Sequence, residues 1–324
     1  MVPESRKEVR VFAPATVANV ACGYDVLGFA IGEPGDEIVA RYVDTPGLRI
    51  GKITGDNGKL PLEVDRNTAG VAALDLLRHL GMTDRGIELE VHKKMPFGSG
   101  LGSSAASAVA GAYAVNKLIG DPLTKKQLLP FAMAGEASAD GAWHADNVGP
   151  CLLGGIVFIR SNEELDIAQL PAPGNLWAAV VHPELEILTK VARDILPKDI
   201  PLENVTQQIG NLGGLLCGLI QEDYELISRS IHDVIAEPRR QKLIPEFYRA
   251  KRDAEAAGAL GFSISGAGPS CFALCEGEET ARRVGQEVSR VFSEVPLENQ
   301  VFVSKINPRG VHVVGEGASA GDPS

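Results

Sequence analysis

The period of the apolar positions changes repeatedly along the chain, and each change marks an element. Residues 87–93 alternate Ile87, Leu89 and Val91 with Glu88, Glu90 and His92, the signature of a strand with one buried face. Residues 68–80 carry Val71, Leu74 and Leu77 at helical spacing, which predicts an amphipathic helix. The same reading predicts strands at residues 9–13, 37–43, 152–160, 176–181, 262–265, 270–275 and 300–306. It predicts helices after residue 103 and at 123–139, 188–196, 202–231 (broken near 221–223), 244–257 and 278–292. A polar, proline-rich stretch at 161–175, SNEELDIAQLPAPGN, separates the two halves. Strands and helices mix without regular alternation, which predicts an α+β chain. The expected units are 1–162 and 175–315, followed by a small, polar tail at 316–324 that reads as disordered.

Between the strand at 87–93 and the next helix lies PFGSGLGSSAA, residues 96–106. Gly98, Gly100 and Gly102 let a backbone approach a ligand closely, and the helix that follows presents unpaired N–H groups and the positive end of its dipole. Strand, glycine loop and helix start together make an anion site suited to phosphate. The loop is not a Walker A sequence, because Gly102 is followed by Ser103 and no lysine. Nor is it a dinucleotide fingerprint. Ser103 stands where the third glycine belongs, and Asp121, near the expected spacing for the ribose acid, sits in a turn between helices.

P-x-G-x-G-L-G-S-S-A-A resembles the nucleotide loop of the GHMP kinases (galacto-, homoserine, mevalonate and phosphomevalonate kinases). The segments FAPATVANVACGYDVLGFAI and GFSISGAGPSCFAL resemble two further motifs of that family, in the same order, so the likeness spans essentially the whole chain. It implies an N-terminal α/β domain with a left-handed crossover and a ferredoxin-like C-terminal domain. It also implies phosphoryl transfer from ATP, with Mg²⁺, to a small alcohol.

The resemblance then distributes roles. Pro96, Gly98, Ser99, Gly100, Leu101, Gly102, Ser103, Ser104, Ala105 and Ala106 would cradle the phosphates, and Asn67 would contact adenine. Asn67 could equally cap the helix that follows it. Ser104 and Glu136 would hold Mg²⁺, an oxygen-seeking ion; an acid in the small, apolar stretch around Glu136 needs a reason to be there. Relatives carry a catalytic aspartate about eleven residues beyond that glutamate, and here the position is Asn147, in H-A-D-N. An amide cannot act as a base, so Asn147, with Asn19, would orient the acceptor hydroxyl. A register slip that makes neighbouring Asp146 the base is the competing reading, with the segment taken as an extended loop.

H-x-D-N resembles the members acting on homoserine. On that likeness Arg193 and Arg240 would bind the carboxylate of L-homoserine and Asp25 its ammonium, with His144, Asp146 and Gly266 as further contacts. Arg239 competes with Arg240, which fits the E-P-x-R pattern. Gly266 and Gly268 could instead serve a tight hairpin. The activity would be a step of threonine biosynthesis. Rivals are a kinase of shikimate or mevalonate, and a non-catalytic nucleotide or metabolite sensor.

Composition narrows the picture further. A net charge of −11 argues against nucleic acid and anionic membranes as partners. Aromatic residues make up only 5% of the chain, so small and aliphatic side chains must fill the cores. Cys22, Cys151, Cys217, Cys271 and Cys275 are scattered and odd in number, which predicts buried free thiols and no metal site. With no signal peptide and no apolar run of membrane-spanning length, the expectation is a cytoplasmic protein. Oligomeric state stays open, a homodimer being one option.

Overall fold

The computed structural model describes residues 7–141, 143–295 and 297–315, so the expected disordered tail at 316–324 lies outside the described residues. The first half runs β1 (Glu8–Ala18), β2 (Leu27–Tyr42), β3 (Leu48–Thr54), α1 (Thr68–His79) and β4 (Ile87–His92). It continues through α2 (Ser103–Leu118), α3 (Lys125–Asp140), α4 (Ala145–Leu153), β5 (Ile156–Ser161) and β6 (Asp166–Leu170). The second half begins with β7 (Leu176–Pro183), α5 (Thr189–Asp194), α6 (Leu202–Gln221), α7 (Tyr224–Ser230), α8 (Glu237–Arg240) and α9 (Phe247–Ala256). It ends with β8 (Gly261–Ile264), β9 (Cys271–Glu276), α10 (Glu278–Ser293), β10 (Asn299–Lys305) and β11 (His312–Val313).

Among the described residues the strands form two sheets. The larger runs β11-β1-β2-β4-β3, with β5 and β6 added beside β2; the smaller runs β10-β7-β9-β8 and is wholly antiparallel. The second unit therefore follows strand–helix–strand–strand–helix–strand with its fourth, first, third and second strands side by side. That is a ferredoxin-like arrangement, and the chain as a whole is α+β in two units.

The low aromatic content is answered by close helix packing. α2 is almost entirely buried and rich in alanine, and it lies between the large sheet and helices α1 and α3. A Cβ on Gly111 would stand 2.4 Å from the Ala69 carbonyl oxygen, and one on Gly135 would stand 2.6 Å from that of Thr68. Helices that touch this closely need small residues at the contact.

Three local expectations require correction. β1 runs on to Ala18 and β2 already begins at Leu27, because the register shifts between Pro14 and Thr16, with the extra residues on β2, and pairing resumes beyond a proline that cannot donate to the ladder. The supposed connector at 161–175 contains β6, which pairs with β5 and so belongs to the first sheet. The segment read as an extended loop before a strand at 152 is α4. Gly149 and Pro150 disguised it, although helix runs from Ala145 to Leu153. Pro150 has no N–H to give the Asp146 carbonyl, which instead lies against Gly28; a Cβ there would meet it at 1.9 Å. All five cysteines are free, as expected, but Cys217 is exposed.

Candidate active site

A cavity of about 470 Å³ opens between the two units. It is lined by groups from the first motif, the glycine loop, α4 and the turn between β8 and β9.

The glycine loop forms as its sequence requires. Gly98, Gly100 and Gly102 take φ values of 58°, 75° and 69°, in the left-handed region where other residues are strained. Gly102 caps α2, whose first amides at Ser103, Ser104 and Ala105 precede the first intrahelical bond, donated by Ala106 to Gly102. The Ala106 amide is thus committed to the helix. Leu101, Ala105 and Ala106 side chains are buried in the core, so only backbone from these positions could face a phosphate. Ser104 Oγ donates to Glu136 Oε1 at 2.9 Å, bringing together the hydroxyl and carboxylate expected to hold a cation. This donor set is all oxygen. Among the described residues no cluster of three or more metal-ligating side chains occurs, so an ion here would need phosphate oxygens and water to complete its shell.

The loop joining β1 to β2 carries the most unusual backbone. Asn19, Val20, Ala21 and Asp25 all have positive φ, and at non-glycine residues this costs of order 1–3 kcal/mol each. Asn19 braces this loop: Nδ2 donates to the Gly266 carbonyl at 2.9 Å, and Oδ1 accepts the Asp25 amide at 2.9 Å, which leaves its second N–H at the cavity that it lines. Asp25 meets Arg193 through two bonds of 3.0 and 3.1 Å, with His144 Nδ1 at 3.5 Å. Burial works against the Arg193 charge, but the bonds to Asp25 raise its pKa above the ordinary value. The groups expected to take the ammonium and the carboxylate thus pair with each other.

Arg240 differs. It is 4% exposed, whereas Arg239 is exposed to solvent and outside the cavity. Its guanidinium donates to the carbonyls of Ala192 (3.0 Å) and Gly266 (2.8 Å) and to the Tyr24 hydroxyl (3.4 Å), all neutral partners. The Tyr24 ring lies 5.2 Å from it and 5.9 Å from the Arg193 guanidinium, an aromatic floor beneath two cations. Burial pushes the Arg240 pKa down. Asp146 is buried too, and burial followed by the nearby Asp25 charge raises its pKa to about 7.

Asn147, in the first turn of α4, accepts at Oδ1 from the Thr16 hydroxyl at 2.7 Å. Asn67 caps α1 by accepting the Ala69 amide at 3.1 Å and donates to the Pro61 carbonyl at 3.0 Å, yet it also lines the cavity. Gly266 and Gly268 do form a tight turn between β8 and β9, and that turn is a cavity wall. Ser265 Oγ donates to the Gly100 carbonyl at 2.7 Å, and the Ser270 amide donates to that of Ser99 at 3.1 Å. The third motif is thereby stitched to the phosphate loop.

Sequence reasoning missed Thr16, Tyr24 and Lys93. Lys93 left a usable signal, since the alternation of Ile87, Leu89 and Val91 puts it on the buried face. Its ammonium pairs with buried Asp36 and donates to the Ser103 carbonyl and Ser107 Oγ, both at 2.8 Å. It thereby pins the first turn of α2.

Residues 67–155 match the GHMP kinases N terminal domain and residues 215–294 match GHMP kinases C terminal. The chain belongs to the GHMP kinase family and is an ATP-dependent kinase. It is 47% identical over 320 residues to a homoserine kinase of Chlorobium phaeobacteroides, an alignment covering 95% of this chain and all of that one. It is also 47% identical to a homoserine kinase of Chlorobaculum tepidum, covering 95% and 98% of the two chains. A crystal structure of homoserine kinase from Cytophaga hutchinsonii superposes with a TM-score of 0.94 at 51% identity, covering 97% of this chain and 99% of that one. Among the described residues no helix is long and apolar enough to cross a membrane.

Proposed function

We propose that the protein transfers the γ-phosphoryl group of ATP to the side-chain hydroxyl of L-homoserine, giving O-phospho-L-homoserine and ADP, as a step of threonine biosynthesis in the cytoplasm. The observation that carries the choice of substrate is Arg240. A guanidinium buried at a cavity wall, whose hydrogen-bond partners among the described residues are all neutral, is suited to a substrate carboxylate. Asp25, with His144 and Asp146 beside it, takes the ammonium. Arg193 then shares its charge between Asp25 and the carboxylate.

On the nucleotide side, the glycine loop and the start of α2 receive the phosphates, and Asn67 lies at the base end. Ser104 and Glu136 are the residues that would hold Mg²⁺, which when bound neutralises phosphate charge. The acceptor hydroxyl lies toward Asn147. Its oxygen forms the new bond to phosphorus as the bond to the ADP oxygen breaks, and its proton passes to a phosphate oxygen, since an amide cannot take it. A loose transition state tolerates a proton that leaves late, so positioning carries much of the rate. ADP release measured against homoserine, shikimate, mevalonate and galactose tests the assignment. Homoserine should be turned over at least a hundredfold more efficiently than the rest, and preference for a substrate without an ammonium would overturn it.

A further inference from the structure

We propose that Thr16 is the positioning residue that sets the Asn147 amide against the phosphate loop. This rests on the kinase reading above and assigns a task to a residue of the first motif that the sequence reading left without one. Thr16 is fully buried and holds two elements at once. Its backbone N–H donates to the Leu101 carbonyl at 3.0 Å, inside the glycine loop, and its hydroxyl donates to Asn147 Oδ1 at 2.7 Å.

The double contact is made where the β1–β2 register breaks, Pro14 facing Gly35 and Thr16 facing Ala30, with the extra residues on β2. Gly102 closes the third side. A Cβ there would lie 2.2 Å from Thr16 Oγ1 and 2.7 Å from Asn147 Oδ1, so loop, hydroxyl and amide touch with no room for a methyl group.

The direction of the bond has a chemical consequence. A hydroxyl owns one hydrogen, and here it is given to the amide oxygen. That fixes the amide rotamer, so the NH₂ is the end left for the acceptor alcohol. The alcohol oxygen is held by a donor, which orients its lone pair for attack and cannot accept its proton.

The test is a double-mutant cycle on the full chain, read as kcat and both KM values. Thr16→Val, which keeps the backbone N–H and the shape, should lower kcat about five- to tenfold through loss of one buried hydrogen bond. Both KM values should stay within about twofold, and Thr16→Ser should restore most of kcat. In an Asn147→Ala background, Thr16→Val should have no further effect, because its partner is gone. Multiplicative losses in the double variant, or a wild-type kcat in Thr16→Val, overturn the proposal. Melting temperatures monitor folding, and Thr16→Ala repeats the cycle if the valine variant fails to fold. Wild-type turnover of homoserine with additive mutations would sink this inference and leave the kinase reading standing. An inactive wild type removes both.

Discussion

Replacing Arg240 by methionine removes a buried charge while keeping much of the side-chain volume. Its three hydrogen bonds go to neutral groups, and Gly266 retains a donor in Asn19. These bonds come from a charged donor and are worth roughly 1.5–3 kcal/mol each, and no longer burying a cation recovers much of that, so net destabilisation should stay within a few kcal/mol. Substrate binding should suffer more. Truncating one partner of a buried, hydrogen-bonded charge pair costs about 2–5 kcal/mol, and Arg193 remains as a second guanidinium, which favours the lower half of that range. At about 1.4 kcal/mol per factor of ten, KM for homoserine should rise roughly 30- to 300-fold. Steady-state ADP release at saturating ATP reads this directly. KM for ATP, measured at saturating homoserine, should stay within threefold, and Arg239→Met, altering an exposed side chain, serves as the matched control. A homoserine KM within threefold of wild type in Arg240→Met, or an equal rise in both KM values, would refute the idea that this buried cation awaits a carboxylate.

Three other outcomes are expected. Glu136→Ala should reduce Mg²⁺-dependent turnover at least a thousandfold with little change in melting temperature, because Ser104 alone cannot hold the cation; near-normal activity would remove Glu136 from the site. Gly102→Ala should abolish measurable turnover, since the new Cβ meets Thr16 Oγ1 at 2.2 Å on a backbone with φ of 69°, and retained activity would show that the loop can move as a body. Asp146→Asn bears on pH. The folded pKa of about 7 lies above the unfolded value near 4, so the folded state holds this proton more tightly and wild-type stability falls as pH rises through that interval. Thermal or urea unfolding should show the asparagine variant gaining roughly 2–3 kcal/mol on wild type between pH 5 and pH 9. A pH-independent difference would show that burial of Asp146 does not perturb it.

What the sequence disclosed and what it hid divide along a physical line. Gly98, Gly100, Gly102 and Ser104 were legible because a strand, a glycine loop and a helix start are contiguous, and their backbone demands are local. Arg240 could be preferred over Arg239 only through a family pattern, because burial of one and exposure of the other depend on a helix four residues long. The segment at 145–153 was misread since Gly149 and Pro150 are breakers by propensity. Tertiary packing against β1, β2 and β5 overrides that, and Pro150 sits where the carbonyl it leaves unpaired can face Gly28. With α4 helical, Asp146 and Asn147 are consecutive on a helix, about 100° apart, and an argument from extended geometry no longer distinguishes them. What distinguishes them is burial and partners: a carboxylate pushed toward neutrality, and an amide already held by Thr16. Thr16 lay inside the first motif, but its partners Asn147 and Leu101 are far off in sequence, so nothing local gave it a task.

The three motifs are far apart in sequence, yet each fixes the others' geometry. The Gly266 carbonyl accepts from Asn19 in the first motif and from Arg240 beside the third, so the walls of the proposed carboxylate pocket come from both units. Ser265 and Ser270 bond the Gly100 and Ser99 carbonyls, so the same turn braces the phosphate loop. Thr16 then links that loop to Asn147 in α4. The spacing between the glycine loop and Asn147 is therefore set by a closed circuit of contacts running through both units, and no single element determines it. On the proposed mechanism, in which no side chain takes the proton, errors of position translate directly into lost rate. Motifs from the start, middle and end of this chain meet at one site because contacts between them, and not any one segment, hold them in register.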